Sequence, residues 1–314
     1  IVVASESSFA NENQASAAEI RSGNFTIPTN ETTYQYFCFN VSQILNLSNI
    51  STTVHVYKMQ FIPDVRSVQY VHHMILYGSF QENDCENTIY PLLLWAFGSE
   101  DFILPENVGI PIGGEGYKTL TLQMHYNNPE SVSGVVDNSG VRLFYTENLR
   151  QFSAGVFQVG NPLADTSLYG EQVGEGYTNW MFSCPGSCSA EYFADQGNIT
   201  VFNEILHMHG TGKRIVSSHI RNGNILREAF VDYYDFSMSG AHAIKQPDYE
   251  VTPGDSFQVN CYYDVAPSQN TTFGLGSQNE MCVAFHWYYP IIPKFHGYCG
   301  FNIYFDPACS GNYS

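Results

Sequence analysis

Two histidines separated by one residue, His207 and His209, are candidate metal ligands in this sequence. Residues i and i+2 of a β-strand point to the same face, so both imidazoles are expected to lie side by side. Neutral imidazole is the commonest metal ligand in proteins. For this motif alone, two surface histidines on a polar strand face are an equally good explanation.

Further ligand candidates lie upstream and downstream of this motif. His72 and His73 are adjacent, and adjacent strand residues point to opposite faces. They can bind one ion only if the strand is distorted or if they use different ring nitrogens; otherwise one is a core residue and the other a surface residue. His125 would complete a set of three nitrogens. Met281 offers a soft thioether, although a lone methionine more often fills a core.

The donor types select among metals. Three-histidine and two-histidine-plus-methionine sets fit copper better than calcium or magnesium, which prefer oxygen. Zinc is the rival for three histidines, but thioether is a poor zinc ligand, and the sequence has no His-Glu-x-x-His motif. Both sets in one chain predict redox chemistry on two copper ions. The other five of the ten histidines are expected to be structural or on the surface: His55, His219, His242, His286 and His296.

The elements that carry these residues are predicted to be short strands separated by turn residues. Many such strands at short spacing indicate β-sandwiches or barrels, and 314 residues suggest two domains. We therefore predict an all-β fold of two tandem antiparallel β-sandwich, jelly-roll-like domains with one copper site each. The first domain would span residues 24–150 and the second residues 151–314. Residues 1–23 are expected to be a leader or linker, with an edge strand as the alternative.

Composition restricts the partners. There are 12 basic against 30 acidic residues, and the net charge is −18, which argues against nucleic acid and anionic membrane surfaces. No run of 18 apolar residues exists, so no transmembrane helix is expected. The oligomeric state is left open.

Two patterns agree on the compartment. The eight cysteines are an even number, compatible with disulfide bonds. Eight Asn-x-Ser/Thr sequons predict N-glycans: Asn24, Asn30, Asn40, Asn46, Asn49, Asn198, Asn270 and Asn312. Both patterns predict a secreted protein in the extracellular space or a secretory-vesicle lumen.

The ligand motifs together resemble the copper type II, ascorbate-dependent monooxygenases. The resemblance rests on their order: His72-His73-Met74, Gln123-Met-His125-Tyr126-Asn-Asn-Pro129, His207-Met-His209-Gly-Thr-Gly212, Glu280-Met281-Cys282 and Tyr288-Tyr289-Pro290. It runs from about Asn24 to Cys299 and leans toward the dopamine/tyramine branch of the family.

The resemblance implies a role for each ligand. His72, His73 and His125 would hold an electron-transfer copper, while His207, His209 and Met281 would hold the copper where dioxygen reacts. Ascorbate would reduce both ions, and a substrate C–H bond would be hydroxylated. Gln123 is a candidate residue behind the first copper.

The resemblance also implies four disulfide bonds. The expected pairs are Cys38–Cys85, Cys184–Cys299, Cys188–Cys309 and Cys261–Cys282. The last pair would clamp the strand that carries Met281.

Two positions beside the second site depart from the family. The peptide branch has an arginine and a tyrosine where this chain has Ile205 and Phe285, so a substrate carboxylate would lack both partners. The pocket is therefore expected to take a small aromatic or otherwise hydrophobic substrate. The alternative is a non-catalytic glycosylated module for adhesion, assembly or copper binding, because a fold does not fix a function.

Overall fold

The computed structural model describes residues 16–45, 51–86, 90–161, 168, 170–237, 243–244, 247–276, 278–303 and 305–314. The first half of the chain forms twelve short strands, a four-residue helix and one turn of 3-10 helix (Val68–Tyr70). They are β1 (Ser16–Arg21), β2 (Phe25–Thr26), β3 (Thr32–Asn40), α1 (Val41–Ile44), β4 (Thr53–Ile62), β5 (Val71–Ser79), β6 (Tyr90–Ala96), β7 (Phe102–Ile103), β8 (Val108–Gly113), β9 (Thr119–Asn127), β10 (Val136–Asp137), β11 (Gly140–Thr146) and β12 (Phe152–Ser153).

These strands form a sandwich. One sheet has the order β1-β11-β4-β8-β12 with β7 beside β4, the other has the order β3-β9-β5-β6, and β2 pairs with β10. Alternation along β9 explains how the layers meet. Leu120, Leu122 and Met124 are buried in the core between the sheets, while Gln123 and His125 point to the opposite face.

The expectation of a leader or linker over residues 1–23 is wrong for its final part. Ser16–Arg21 is strand β1, which pairs antiparallel with β11 at the edge of the first sheet. Ala18 and Ile20 alternate with more exposed neighbours and bury their side chains in the core, so this segment belongs to the first domain. Residues 1–15 lie outside the described residues.

The described residues of the second half form eleven strands and one α-helix. They are β13 (Gly155–Gly160), β14 (Gly176–Cys184), α2 (Gly186–Phe193), β15 (Ile199–His207), β16 (Gly212–Arg221), β17 (Asn224–Val231), β18 (Ala243–Ile244), β19 (Tyr249–Val251), β20 (Ser256–Val265), β21 (Val283–Tyr289), β22 (Tyr298–Phe301) and β23 (Ser310–Gly311). One sheet runs β18-β15-β21-β13-β22-β23 with β19 beside β15, and the other runs β14-β20-β16-β17. The predicted all-β fold of two tandem sandwich domains is confirmed.

The two domains meet along the outer face of β21. Phe285 and Trp287 on this face are each 1% exposed and pack with Val156 and Val283. The indole Nε1 of Trp287 donates a hydrogen bond to the Leu92 carbonyl oxygen at 3.1 Å, across the interface. Apolar packing of this kind fixes one end of the cleft between the domains.

Four disulfide bonds cross-link the chain. They join Cys38 to Cys85, Cys184 to Cys299, Cys188 to Cys309 and Cys261 to Cys282, which are the pairs that the resemblance implied. Within the described residues, neither helix is long and apolar enough to cross a membrane.

Candidate metal centre

The first candidate ligand set consists of three convergent imidazoles. His72 Nδ1 and His125 Nδ1 each lie 3.2 Å from His73 Nδ1. Two nitrogens that bind one first-row ion at about 2.0 Å with a tetrahedral angle lie about 3.3 Å apart. The spacing of these three histidines therefore fits a single metal ion.

A β-bulge brings His72 and His73 to the same site. The register between β5 and β9 shifts between Val71 and His73, so two residues of β5 occupy the space of one. The bulge cancels the alternation that would otherwise point the adjacent side chains to opposite faces. The sequence allowed a shared ion either through a distorted strand or through the use of different ring nitrogens. The structure has the distorted strand.

The surroundings keep these imidazoles neutral. Burial lowers the pKa of His72, and burial together with the neighbouring histidines lowers the pKa of His73 well below 6.5. For His125 the same causes, burial first, lower the pKa to about 3. A neutral imidazole presents a lone pair to a metal, so protons compete with a metal here only under acidic conditions.

The second candidate set lies at the end of β15. The rings of His207 and His209 are 5.0 Å apart between centroids, and Met281 lines the same cavity. The strand ends at His207, and beyond it the Tyr234 hydroxyl forms hydrogen bonds with the backbone of Met208. It accepts from Met208 N at 3.0 Å and donates to Met208 O at 2.7 Å. These two bonds fix the backbone between His207 and His209 beyond the end of the strand.

Hydrogen bonds also fix the orientation of His209. Its Nδ1 lies 3.0 Å from the Asn279 carbonyl oxygen, so Nδ1 carries the proton and donates. Nε2 is then the nitrogen with a lone pair for a metal, the usual arrangement of a ligating histidine. Burial lowers the pKa of His209 to about 4, although the Asn279 carbonyl opposes this shift.

Glu280 ties the His-x-His turn to Met281. Its carboxylate, 1% exposed, accepts hydrogen bonds from His209 N at 2.8 Å, Thr211 N at 2.6 Å and Thr211 Oγ1 at 2.8 Å. Burial raises the pKa of Glu280, while these donors favour its ionised form. The Met281 carbonyl accepts from Tyr263 Oη at 2.9 Å, so both sides of the methionine are anchored.

Both ligand sets open onto one cavity of about 250 Å³ between the domains. His73 from the first set and His207, His209 and Met281 from the second line it. Phe236 of the second domain lies between the two sets. Its ring centroid is 4.5 Å from that of His72 and 5.0 Å from that of His209.

The rest of the cavity wall is apolar or aromatic with a few neutral polar groups. Ile205 and Phe285 line it beside the second set, and Gln123 lines it beside the first, where its Nε2 donates to Tyr36 Oη at 2.7 Å. Within the described part of the chain, no carboxylate, ammonium or guanidinium group lines the cavity. Such a wall favours an uncharged ligand, because an unpaired charge is costly to bury.

Several wall residues carry no signal in the sequence. Trp95 and Leu275 are ordinary aromatic or apolar residues in local context, as is Phe236, which contacts the histidines, whereas Tyr34 belongs to Thr32-Thr-Tyr34, one of the smaller matches to the family. Only the folded arrangement brings them to the cavity or between the histidines.

Most of the histidines outside both sets have polar partners. His55 contacts Ser153 Oγ at 3.2 Å, while three others contact the carboxylates of Asp255, Glu204 and Asp306: His219, His286 and His296. His242 lies outside the described residues. The sulfurs of Cys184, Cys188 and Cys299 also lie close together, but disulfide bonds occupy them.

Comparison with known proteins agrees with this geometry. Residues 18–133 match the N-terminal domain, and residues 152–303 the C-terminal domain, of the copper type II ascorbate-dependent monooxygenases. The chain is 30% identical over 296 residues to human dopamine beta-hydroxylase, covering 88% of this chain and 46% of the relative. It is 29% identical over 283 residues to Caenorhabditis briggsae tyramine beta-hydroxylase, covering 84% and 46%.

A third relative is the mouse DBH-like monooxygenase protein 2, which is 29% identical over 296 residues, covering 87% of this chain and 46% of the relative. The chain thus spans about half the length of these curated relatives.

Proposed function

Because the chain belongs to the copper type II ascorbate-dependent monooxygenase family, we propose that it hydroxylates a C–H bond of a small, uncharged substrate. The observation that carries this proposal is the one cavity onto which His73 of the first set and all three residues of the second set, His207, His209 and Met281, open. A two-site redox enzyme needs its oxygen-reacting centre beside the substrate and its electron-donating centre within electron-transfer distance of that centre.

Each set would hold one copper ion. His72, His73 and His125 supply three neutral nitrogens at a spacing that fits one ion. His207, His209 and Met281 supply two nitrogens and a thioether, and the soft sulfur favours Cu(I). Copper bound at these residues supplies one-electron redox chemistry for the activation of dioxygen.

Ascorbate supplies the electrons and protons that the reaction requires. One oxygen atom of O2 enters the substrate C–H bond to give C–OH, and the other leaves as water. The two electrons and two protons that this requires come from one-electron oxidations of ascorbate. The protein contributes neutral ligand nitrogens, the fixed position of Met281 and a largely apolar cavity that lowers access of water to the reacting groups.

The cavity wall argues for an uncharged aromatic or aliphatic substrate. The relatives' names refer to dopamine and tyramine, amines whose ammonium groups need an acceptor when they are buried. Ile205 and Phe285 stand beside the second ligand set, and neither offers one. A neutral substrate of similar size avoids this desolvation cost.

The proposed compartment is extracellular or the lumen of a secretory vesicle. The four disulfide bonds support it, since such bonds persist in oxidising compartments. Five sequon asparagines are exposed and open to glycans: Asn24, Asn30, Asn198, Asn270 and Asn312. Asn40 is partly buried and donates to Asn83 Oδ1 at 2.9 Å, and Asn46 and Asn49 lie outside the described residues.

A matched substrate pair tests the proposal. The copper-loaded full chain would be supplied with O2, ascorbate and either tyramine or 4-propylphenol, in which a methyl group replaces the ammonium. We expect hydroxylated product from 4-propylphenol with at least about tenfold higher kcat/KM, since an unpaired buried charge costs well over 1.4 kcal/mol.

The His207→Ala variant is the control and is expected to form no product. Preference for tyramine would contradict the uncharged-substrate proposal. Copper binding without ascorbate-dependent product from a broad set of neutral and charged substrates would favour the non-catalytic module instead.

A further inference from the structure

Tyr34 contacts the first ligand set directly. It lies within β3, opposite His125 in the register of β3 and β9. Its ring stacks on the His125 imidazole with centroids 4.4 Å apart and an interplanar angle of 17°. The ring centroid of His73 is 6.2 Å away. One face of Tyr34 thus covers a candidate ligand of the first domain.

The other end of the same side chain is bound to the second domain. The Tyr34 hydroxyl donates a hydrogen bond to the Leu275 carbonyl oxygen at 3.0 Å, across 241 positions of the sequence. Tyr34 and Leu275 both line the shared cavity. This one residue therefore spans the opening of the cleft.

The loop that receives this hydrogen bond is connected to the second ligand set. Gly274 N donates to the Glu280 carbonyl at 3.1 Å, and Asn279 N donates to the Gly276 carbonyl at 2.9 Å. These bonds close the loop around Leu275 onto the segment that contains Met281. The Asn279 carbonyl in turn accepts from His209 Nδ1. A displacement of Leu275 would pass to Met281 and His209 through these bonds.

We propose that Tyr34 is a positioning residue that fixes the two candidate metal sites relative to each other. At the opposite end of the interface, Trp287 and its apolar neighbours are deeply buried and hold the domains together. The contact at Tyr34 is solvent-exposed and includes the hydrogen bond from its hydroxyl to Leu275, and an exposed contact of 3.4 Å joins Gln278 Nε2 to Glu31. The loop around Leu275 is therefore expected to respond to loss of the Tyr34 hydroxyl.

Hydrogen exchange on the Tyr34→Phe variant tests this inference. Phenylalanine keeps the ring that stacks on His125 and removes only the hydroxyl. A net hydrogen bond corresponds to a factor of about two to ten in a local opening equilibrium. We expect the backbone amides of residues 274–281 to exchange about two- to tenfold faster than in the parent, in the full chain with and without copper.

Tyr36→Phe is the matched control. Tyr36 lies two residues along the same strand, and its hydroxyl accepts a hydrogen bond from Gln123 within the first domain. It is expected to leave exchange over residues 274–281 at the parent rate. Unchanged exchange in Tyr34→Phe, or an increase spread evenly over both domains or shared by Tyr36→Phe, would overturn the proposal.

Copper spectroscopy separates the two halves of the Tyr34 contact. The electron paramagnetic resonance signal of Cu(II) at His72, His73 and His125 is expected to be unchanged in Tyr34→Phe, because the stack is kept, and altered in Tyr34→Ala. A change in Tyr34→Phe as large as that in Tyr34→Ala would contradict this assignment of roles.

The inference concerns the sites of the proposed function, but hydrogen exchange does not require turnover. If the parent is inactive and the exchange result holds, Tyr34 remains a positioning residue and only the enzymatic proposal fails. If the parent is active, the Tyr34→Phe variant is expected to form less product per O2 consumed. An unchanged ratio would show that the position of the loop does not affect the reaction.

Discussion

Replacing Glu280 by glutamine tests the role of its buried carboxylate. Both oxygens accept hydrogen bonds, from His209 N on one side and from Thr211 N and Oγ1 on the other. A glutamine amide has one oxygen and one NH2 group. In either orientation a buried backbone N–H then faces another donor and loses its acceptor.

The expected cost follows from these contacts. One unsatisfied buried N–H costs about 1–3 kcal/mol, and the remaining bonds lose the assistance of a charge. Burial of a charged carboxylate is unfavourable, as the raised pKa of Glu280 shows, and a neutral amide avoids this desolvation, which offsets part of the cost. We expect the free energy of unfolding of Glu280→Gln to fall by about 2–3 kcal/mol, measured by urea denaturation at pH 7.

Glu228→Gln is the control, because Glu228 is exposed and accepts one bond from Ser218 Oγ at 3.2 Å. It is expected to change the free energy of unfolding by less than about 0.5 kcal/mol. In a competition with a chelator, Glu280→Gln is also expected to lose copper from the second site before the first. Equal stability of the two variants, with both copper ions retained equally, would refute the role assigned to Glu280.

Three further predictions concern pH, a buried carboxylate and a disulfide bond. The lowered pKa values of His125, about 3, and His209, about 4, predict that metal analysis finds both sites filled at pH 5, with copper lost only as the pH falls toward or below these values, because the ion competes with protons for the same nitrogens. In the metal-free protein the neutral imidazoles favour the folded state above pH 6.5, and this stability is lost as pH falls toward 3. Loss of copper between pH 7 and 6 would contradict the burial of these ligands. The buried carboxylate of Asp137 accepts four hydroxyl hydrogen bonds, so Asp137→Ala should lower the free energy of unfolding, measured in urea, by at least about 3 kcal/mol. A loss below about 1 kcal/mol would mean that these hydroxyls find other partners. Replacing both Cys261 and Cys282 by serine, whose disulfide bond spans a separation of 21 residues, should cost about 3 kcal/mol in the same assay, and no loss would indicate that the unfolded chain is not constrained there.

The strand that carries His125 and the strand beside it can be predicted from sequence. Short apolar and aromatic runs between turn residues predict strands over Thr33–Val41 and Tyr117–Tyr126, and β3 and β9 occupy nearly the same residues. Apolar and polar side chains alternate along these strands, which is the pattern expected where one face packs in a core. By contrast, the sequence does not predict β14 (Gly176–Cys184), because it lies between a glycine-rich stretch and Cys184-Pro-Gly-Ser-Cys188 and its own residues are of mixed polarity.

The geometry around the ligands depends on contacts that the sequence does not contain. The bulge between Val71 and His73 exists only in the pairing of β5 with β9, so the sequence left open how two adjacent histidines share an ion. Contacts from Tyr34 to Leu275 and from Phe236 to His72 join residues far apart in the chain. The disulfide pairs followed from a family resemblance, since eight cysteines alone allow many connectivities.

Copper stoichiometry tests the central claim most directly. The purified full chain would be loaded with copper, dialysed and analysed for metals beside a variant that combines His207→Ala with Met281→Ala. The two-site account predicts two copper ions per parent chain and one in the variant, with the remaining ion at His72, His73 and His125. No copper in the parent, zinc in its place, or two ions in the variant would contradict it.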